Sequence, residues 1–157
     1  EFPDLLEDRR LAERSAMISN DLRQTGAIVG CSVAARGKAS GAVIAPGDTV
    51  DIRLTIEARH LESWIAAIQI DDPTGQVVFE TARDRLNVPP PLIEGKRDVL
   101  FTLKSPRFGG GRYYVNTLLR DTSGHNLHGA MHVASFEVAH DDRSTGFLSI
   151  DVDASVG

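Results

Sequence analysis

The chain has 157 residues and a formal charge of −5, from 22 acidic and 17 basic side chains. That length closes one sizeable core, and the acidic balance excludes the basic face of a nucleic-acid binder or of a polybasic membrane-surface segment. No apolar run approaches the ~20 residues of a spanning helix, and the single cysteine, Cys31, excludes an internal disulfide framework and suits a reducing compartment.

Val, Ile and Thr make up about a fifth of the residues, so strands are expected to dominate. The chain begins Glu1-Phe2-Pro3, and we expect it to be a piece of a longer protein. Near its start, Asp4 followed by Glu7 fits a capping box, in which each side chain satisfies a backbone N–H that the first turn leaves unpaired. With Leu11, Ile18 and Leu22 on one face, this predicts a polar, weakly amphipathic helix over 4–18. Residues 1–25 are therefore expected to be a helix and linker, and 26–157 a separate domain.

From Gly26 the hydrophobic period becomes two. Val50, Ile52, Leu54 and Ile56 alternate with Asp51, Arg53, Thr55 and Glu57, the pattern of a strand with one face buried and one wet. Comparable runs lie at 27–35, 64–71, 76–82, 97–104, 112–120, 131–139 and 146–153. Asp72-Pro73-Thr74-Gly75 and Asp121-Thr122-Ser123-Gly124 are turn sequences between them. Pro89-Pro90-Pro91 has no N–H to give to a ladder, so 83–96 is expected to leave the sheets. About eight short strands without helical pattern between them predict an all-β fold, an antiparallel β-sandwich.

Reactive chemistry finds little support. His128 and His132 are four apart, which on a strand separates their Cα atoms by roughly 13 Å, too far for one ion. Gly30 and Gly37-Lys38 faintly resemble a phosphate loop, but six residues intervene and Ala39 stands where a Ser or Thr is needed. Gly109-Gly110-Gly111 leads into a strand, so no helix N-terminus follows to hold a phosphate. There is no GxSxG, and Cys31 lies in an apolar context that favours an inert thiol. The pairs Asp71-Asp72 and Asp141-Asp142 sit beside turns, where carboxylates accept backbone hydrogen bonds. No catalytic residue, metal site or cofactor is expected.

Binding remains. On the 112–120 strand, Tyr113, Val115, Thr117 and Leu119 are predicted to point inward, which turns Tyr114, Asn116, Leu118 and Arg120 outward. A phenol, an amide and a guanidinium on one open face can stack on a sugar ring and bond its hydroxyls. On the 64–71 strand Trp64, Ala66, Ile68 and Ile70 are predicted inward and Gln69 outward. The excursion Arg83-Asp84-Arg85-Leu86-Asn87 is dense in hydrogen-bonding groups. The candidate ligand-binding residues are thus Tyr114, Asn116, Arg120, Gln69, Asp84 and Asn87.

An ordered series runs through the chain: Gly47-Asp48 before the Val50–Ile56 alternation, Ile68-Gln69-Ile70-Asp71, Gly75, Val77-Val78-Phe79-Glu80-Thr81, Gly111-Arg112-Tyr113, Leu118-Leu119-Arg120-Asp121, Gly124, Phe136-Glu137-Val138 and Gly146-Phe147-Leu148. From about Gly26 to Val152 this resembles the C-terminal domain of Wzt-type proteins, the ATPase subunits of ABC transporters that export lipid-linked O-antigen and related polysaccharides. The resemblance implies an immunoglobulin-like sandwich that binds carbohydrate without catalysis, recognising the capped non-reducing end of the glycan and coupling its completion to export. It implies a preceding ATPase domain as the place of ATP, a permease as partner, and a location at the inner, cytoplasmic face of the membrane. It also implies a homodimer, with Leu148, Ile150 and Val152 as candidates for strand exchange. The competing expectations are a structural dimerisation or docking domain without a ligand of its own, and a glycan-modifying hydrolase.

Overall fold

The apolar rows of the alternating segments demand a second layer, and the chain supplies one. The computed structural model describes residues 26–83, 90–143, 145–146 and 148–156. The predicted helix at 4–18, and Asp84 and Asn87, lie outside the described residues. Seven strands follow in order: β1 (Ala27–Ala35), β2 (Val50–Leu61), β3 (Ile65–Asp71), β4 (Val77–Ala82), β5 (Ile93–Leu103), β6 (Gly111–Arg120) and β7 (Asn126–Val138). They form two antiparallel sheets, β1-β2-β5 and β4-β3-β6-β7. The fold is the predicted β-sandwich. Its fourth strand pairs with β3, not with β5 as in a constant-type immunoglobulin domain. No helix among the described residues is long and apolar enough to cross a membrane.

The predicted facing holds. Val50, Ile52, Leu54 and Ile56 of β2 are fully buried against Ala66, Ile68 and Ile70 of β3 and Val115 and Leu119 of β6. Each of the buried Val, Leu and Ile side chains contributes about 1.5–3 kcal/mol by leaving water. Trp64 closes the core just before β3: its indole N–H donates to the carbonyl of Pro91 at 2.9 Å, and Arg83 donates to the carbonyl of Trp64 at 2.6 Å. The Arg83 guanidinium also lies 5.2 Å from the indole centre, so a buried cation shares an aromatic face.

Four boundaries differ from expectation, the first being β2, which runs past Glu57 to Leu61. β5 begins at Ile93, inside the expected excursion, because β2 runs on to Leu61 and pairs with Ile93 beyond an irregularity. The 93–98 stretch is exposed after Ile93, so it carries no alternation to read. β7 begins at Asn126, five residues before the run at 131–139, because a bulge divides the strand. The run at 146–153 does not form a strand: Leu148 makes one isolated bridge to Phe108, and Ser149 donates to the carbonyl of Arg107 at 2.7 Å. Leu148, Ile150 and Val152 remain 54–64% exposed.

The turns hold as read. Asp72 accepts from the backbone N–H of Thr74 and Gln76 and from the Thr74 hydroxyl, and these bonds hold its carboxyl below its ordinary range. Asp121 does the same for Ser123 and His125.

On one side of the sandwich β1 meets β7, where the backbone N–H of Ile28 donates to Nδ1 of His128 at 3.2 Å. That bond needs a neutral imidazole, and burial already lowers the His128 pKa. Protonation is therefore easier in the unfolded chain, and the seam contributes stability that is present above about pH 6.5 and declines as pH falls below it. Exposed His60 works in the opposite sense, because Glu94 and Glu62 raise its pKa. His128→Gln keeps an acceptor but cannot titrate. Urea unfolding between pH 7.5 and 5 should show a smaller acid loss in this variant than in the native chain; equal slopes would contradict the seam.

Candidate functional site

On the outer face of the four-stranded sheet, residues in register form transverse rows. One row runs Glu80, Gln69, Asn116 across β4, β3 and β6. The next runs Ala82, Ala67, Leu118, Gly129, continuing onto β7, and the one beyond contains Ile65, Arg120 and Asn126. Rows lie about 6.8 Å apart along the strands, and four strands span about 14 Å. The middle row carries two alanines and a glycine between rows of longer side chains, so the surface sinks there. The result is a concavity of about 410 Å³, with Met131 of β7 also on its wall. That volume suits a small ligand or part of a larger one.

Asn116 fixes one wall. Val115 pairs with Ala134 and Thr117 with Ala130, so Met131, His132 and Val133 together oppose Asn116 alone. The backbone of His132 takes a left-handed φ of 52°, a conformation that costs a non-glycine residue energy. The Asn116 carboxamide supports it. Its oxygen accepts the His132 backbone N–H at 2.8 Å, while its nitrogen donates to Oδ2 of Asp71 at 2.7 Å and to Oε1 of Gln69 at 3.1 Å. Asp71 is 3% exposed, so its bond from Asn116 is a charge-assisted one in a dry setting. The other Asp71 oxygen, Oδ1, has no partner.

Of the six candidates, Gln69, Asn116 and Arg120 line the concavity together. Tyr114 is on the same face one row further on, where its ring stacks on His132 with centroids 4.6 Å apart. Asn116 points outward in the alternation but is only 5% exposed, because the bulge covers it. Its amide is fully engaged within the protein, and it shapes the wall by holding Gln69 and the bulge. Reading the sequence did not find Glu80, Asp71, Ala82, Gly129 or Met131. Gly129-Ala130 was a visible small pair, but only the register places it beside Ala67 and Leu118.

Elsewhere the chemistry is quiet. Burial pushes the Cys31 thiol up to about 11, so it is not a nucleophile at neutral pH. Among the described residues no group of three or more His, Cys, Asp or Glu is placed to hold a metal ion.

These features define an antiparallel β-sandwich with an open depression on the outer face of one sheet. The Wzt C-terminal domain family matches residues 23–150, and the chain belongs to that family of ABC-transporter subunit domains. The solved structure described as the C-terminal domain of Wzt superposes with a TM-score of 0.71 at 10% identity, covering 85% of each chain. A β-D-mannosidase from Dictyoglomus thermophilum is similar over 73% of this chain and 13% of its own, with a TM-score of 0.50 and 19% identity. At these identities both likenesses show the fold alone. No curated protein matches the sequence.

Asn116→Ala should leave the buried Asp71 carboxylate and the His132 N–H without partners, at a cost of about 3 kcal/mol. Urea unfolding measures this directly. A loss under about 1 kcal/mol would contradict the supporting role.

Proposed function

We propose that this chain is a non-catalytic carbohydrate-binding module that receives the capped, non-reducing end of a lipid-linked polysaccharide such as O-antigen. Binding of the completed glycan then couples its completion to export by an ABC transporter. The observation that carries the reading is the depression over Ala67, Leu118 and Gly129, walled by Gln69, Asn116 and Arg120. A pyranose ring has an apolar C–H face and a polar rim of hydroxyls. The floor offers apolar area to the first, and the Gln69 amide and Arg120 guanidinium offer hydrogen bonds to the second. Among the described residues no aromatic ring lines the depression, so the affinity comes from fit and edge hydrogen bonds. An open site of this kind binds weakly, ~10 µM to mM, because sugar hydroxyls exchange water partners for protein ones at little net gain.

The same reading places the module at the cytoplasmic face of the inner membrane, joined to an ATPase domain that holds the ATP and partnered by a permease. The exposed row Leu148, Ile150, Val152 supports a homodimer in which the tail pairs with a second copy, by strand exchange or by docking. That row also favours the second reading, a dimerisation module without a ligand.

One titration separates the two. The chain should bind its own organism's completed polysaccharide about tenfold more tightly than the uncapped polymer. Ala67→Leu, which fills the floor without touching the core, should abolish binding while leaving the melting temperature unchanged. A chain ending at Gly146 should keep binding and lose the dimer. Equal or absent binding to both polymers would leave only the dimerisation reading.

A further inference from the structure

Two arginines among the described residues are withdrawn from full exposure, Arg83 and Arg120. Arg83 is satisfied by the carbonyl of Trp64. Arg120 is half-buried on the wall of the depression, between Ile65 of β3 and Asn126 of β7, and makes no hydrogen bond or ion pair with the described residues. A guanidinium carries five donors in a planar fork, and partly removing it from water without a partner is unfavourable. The floor beside it offers no compensating acceptor side chain, being Ala67, Leu118 and Gly129. The acidic side chain of the depression, Glu80, belongs to the row four residues away along β3 and β6, about 13 Å distant, and accepts from Gln69 at 3.5 Å. The depression thus has Arg120 at one wall, while Glu80 at the other is engaged within the protein.

We propose that the sugar unit seated here carries an anionic substituent, and that Arg120 receives it. The inference rests on the carbohydrate-binding reading and narrows its substrate class to acidic glycans. A carboxylate or a phosphate ester presents two oxygens to the guanidinium fork, a geometry that a neutral hydroxyl does not match. Arg120 stands at one end of the depression only, so the anion it receives fixes which way round the sugar lies. The sugar body covers the apolar floor and dries the ion pair, which strengthens it relative to the same pair in open water. Carboxylate and phosphate share this chemistry, and the test separates them.

The ¹⁵N-labelled chain is titrated at low salt with methyl glucoside, methyl glucuronoside, glucose 6-phosphate and inorganic phosphate. The acidic sugars should shift the amides of Ala67, Leu118 and Gly129 and the Arg120 Nε–H, with an apparent affinity about fivefold above that of methyl glucoside. The stronger of the two identifies the preferred anion. The advantage should vanish in Arg120→Gln, persist in part in Arg120→Lys, and collapse near 1 M salt, where screening is nearly complete. Inorganic phosphate binding as tightly as glucose 6-phosphate would overturn the inference, since the floor would then contribute nothing. Equal binding of neutral and acidic sugars in the depression would overturn it while leaving the carbohydrate-binding reading intact. No shift at these residues with any sugar would overturn both.

Discussion

The Asn116 carboxamide uses both its N–H donors and its oxygen inside the protein, and the outer face of the four-stranded sheet is organised around those three bonds. One donor meets a buried carboxylate, Asp71, which makes the bond strong and leaves the amide little freedom to rotate. The oxygen therefore points where the backbone of His132 needs it. Only with that support does β7 hold three residues opposite one, with His132 in a left-handed conformation. The bulge in turn carries Met131 to the wall of the depression, and the second donor fixes the end of Gln69 that faces Asn116. Bulges at such places re-aim side chains at the expense of ladder pairing, and a buried polar network is what keeps this one in a single state.

The depression is a product of register. No segment of the chain is concave in itself: Ala82, Ala67, Leu118 and Gly129 come from four strands and meet only because the pairing aligns them. A shift of one residue in any strand would place a core side chain in the row and an outward one in the core, a change the two-sided burial of β3 and β6 strongly opposes. The energy that holds the sandwich together thereby also holds the shape of the site. The surface is therefore preformed, and a ligand that used it would need no rearrangement of the sheet. The same architecture occurs in part of a glycoside hydrolase, a reminder that the fold sets where a site can be and not what it does.

Much of this was legible in the sequence. The alternation in Val50–Glu57 and in Arg112–Arg120 gave the correct inward and outward sets, and Asp72 and Asp121 gave the turns. The misses have a common cause. Residues 94–98 lie along an exposed edge strand, where neither face is buried and no period develops. Residues 126–130 precede a bulge that interrupts the pattern a reader would follow. The tail at 148–152 alternates well, but among the described residues it pairs only through the Leu148–Phe108 bridge, so period alone could not reveal its state. Asn116 was placed on the correct face, yet its role came from Asp71 and from the His132 backbone, neither of which is adjacent in sequence. Gln69 and Arg120 were identifiable as outward polar groups; the short-chain row between them required the three-dimensional register.

The most direct test of the account is a crystal structure of this chain with an oligosaccharide cut from the completed end of its organism's own surface polysaccharide. The account predicts sugar density crossing the strands over Ala67, Leu118 and Gly129, with its hydroxyl edge against Gln69 and its far end at Arg120. Sugar bound on the outer face of the three-stranded sheet, or along the β5 edge with the depression left empty, would contradict it.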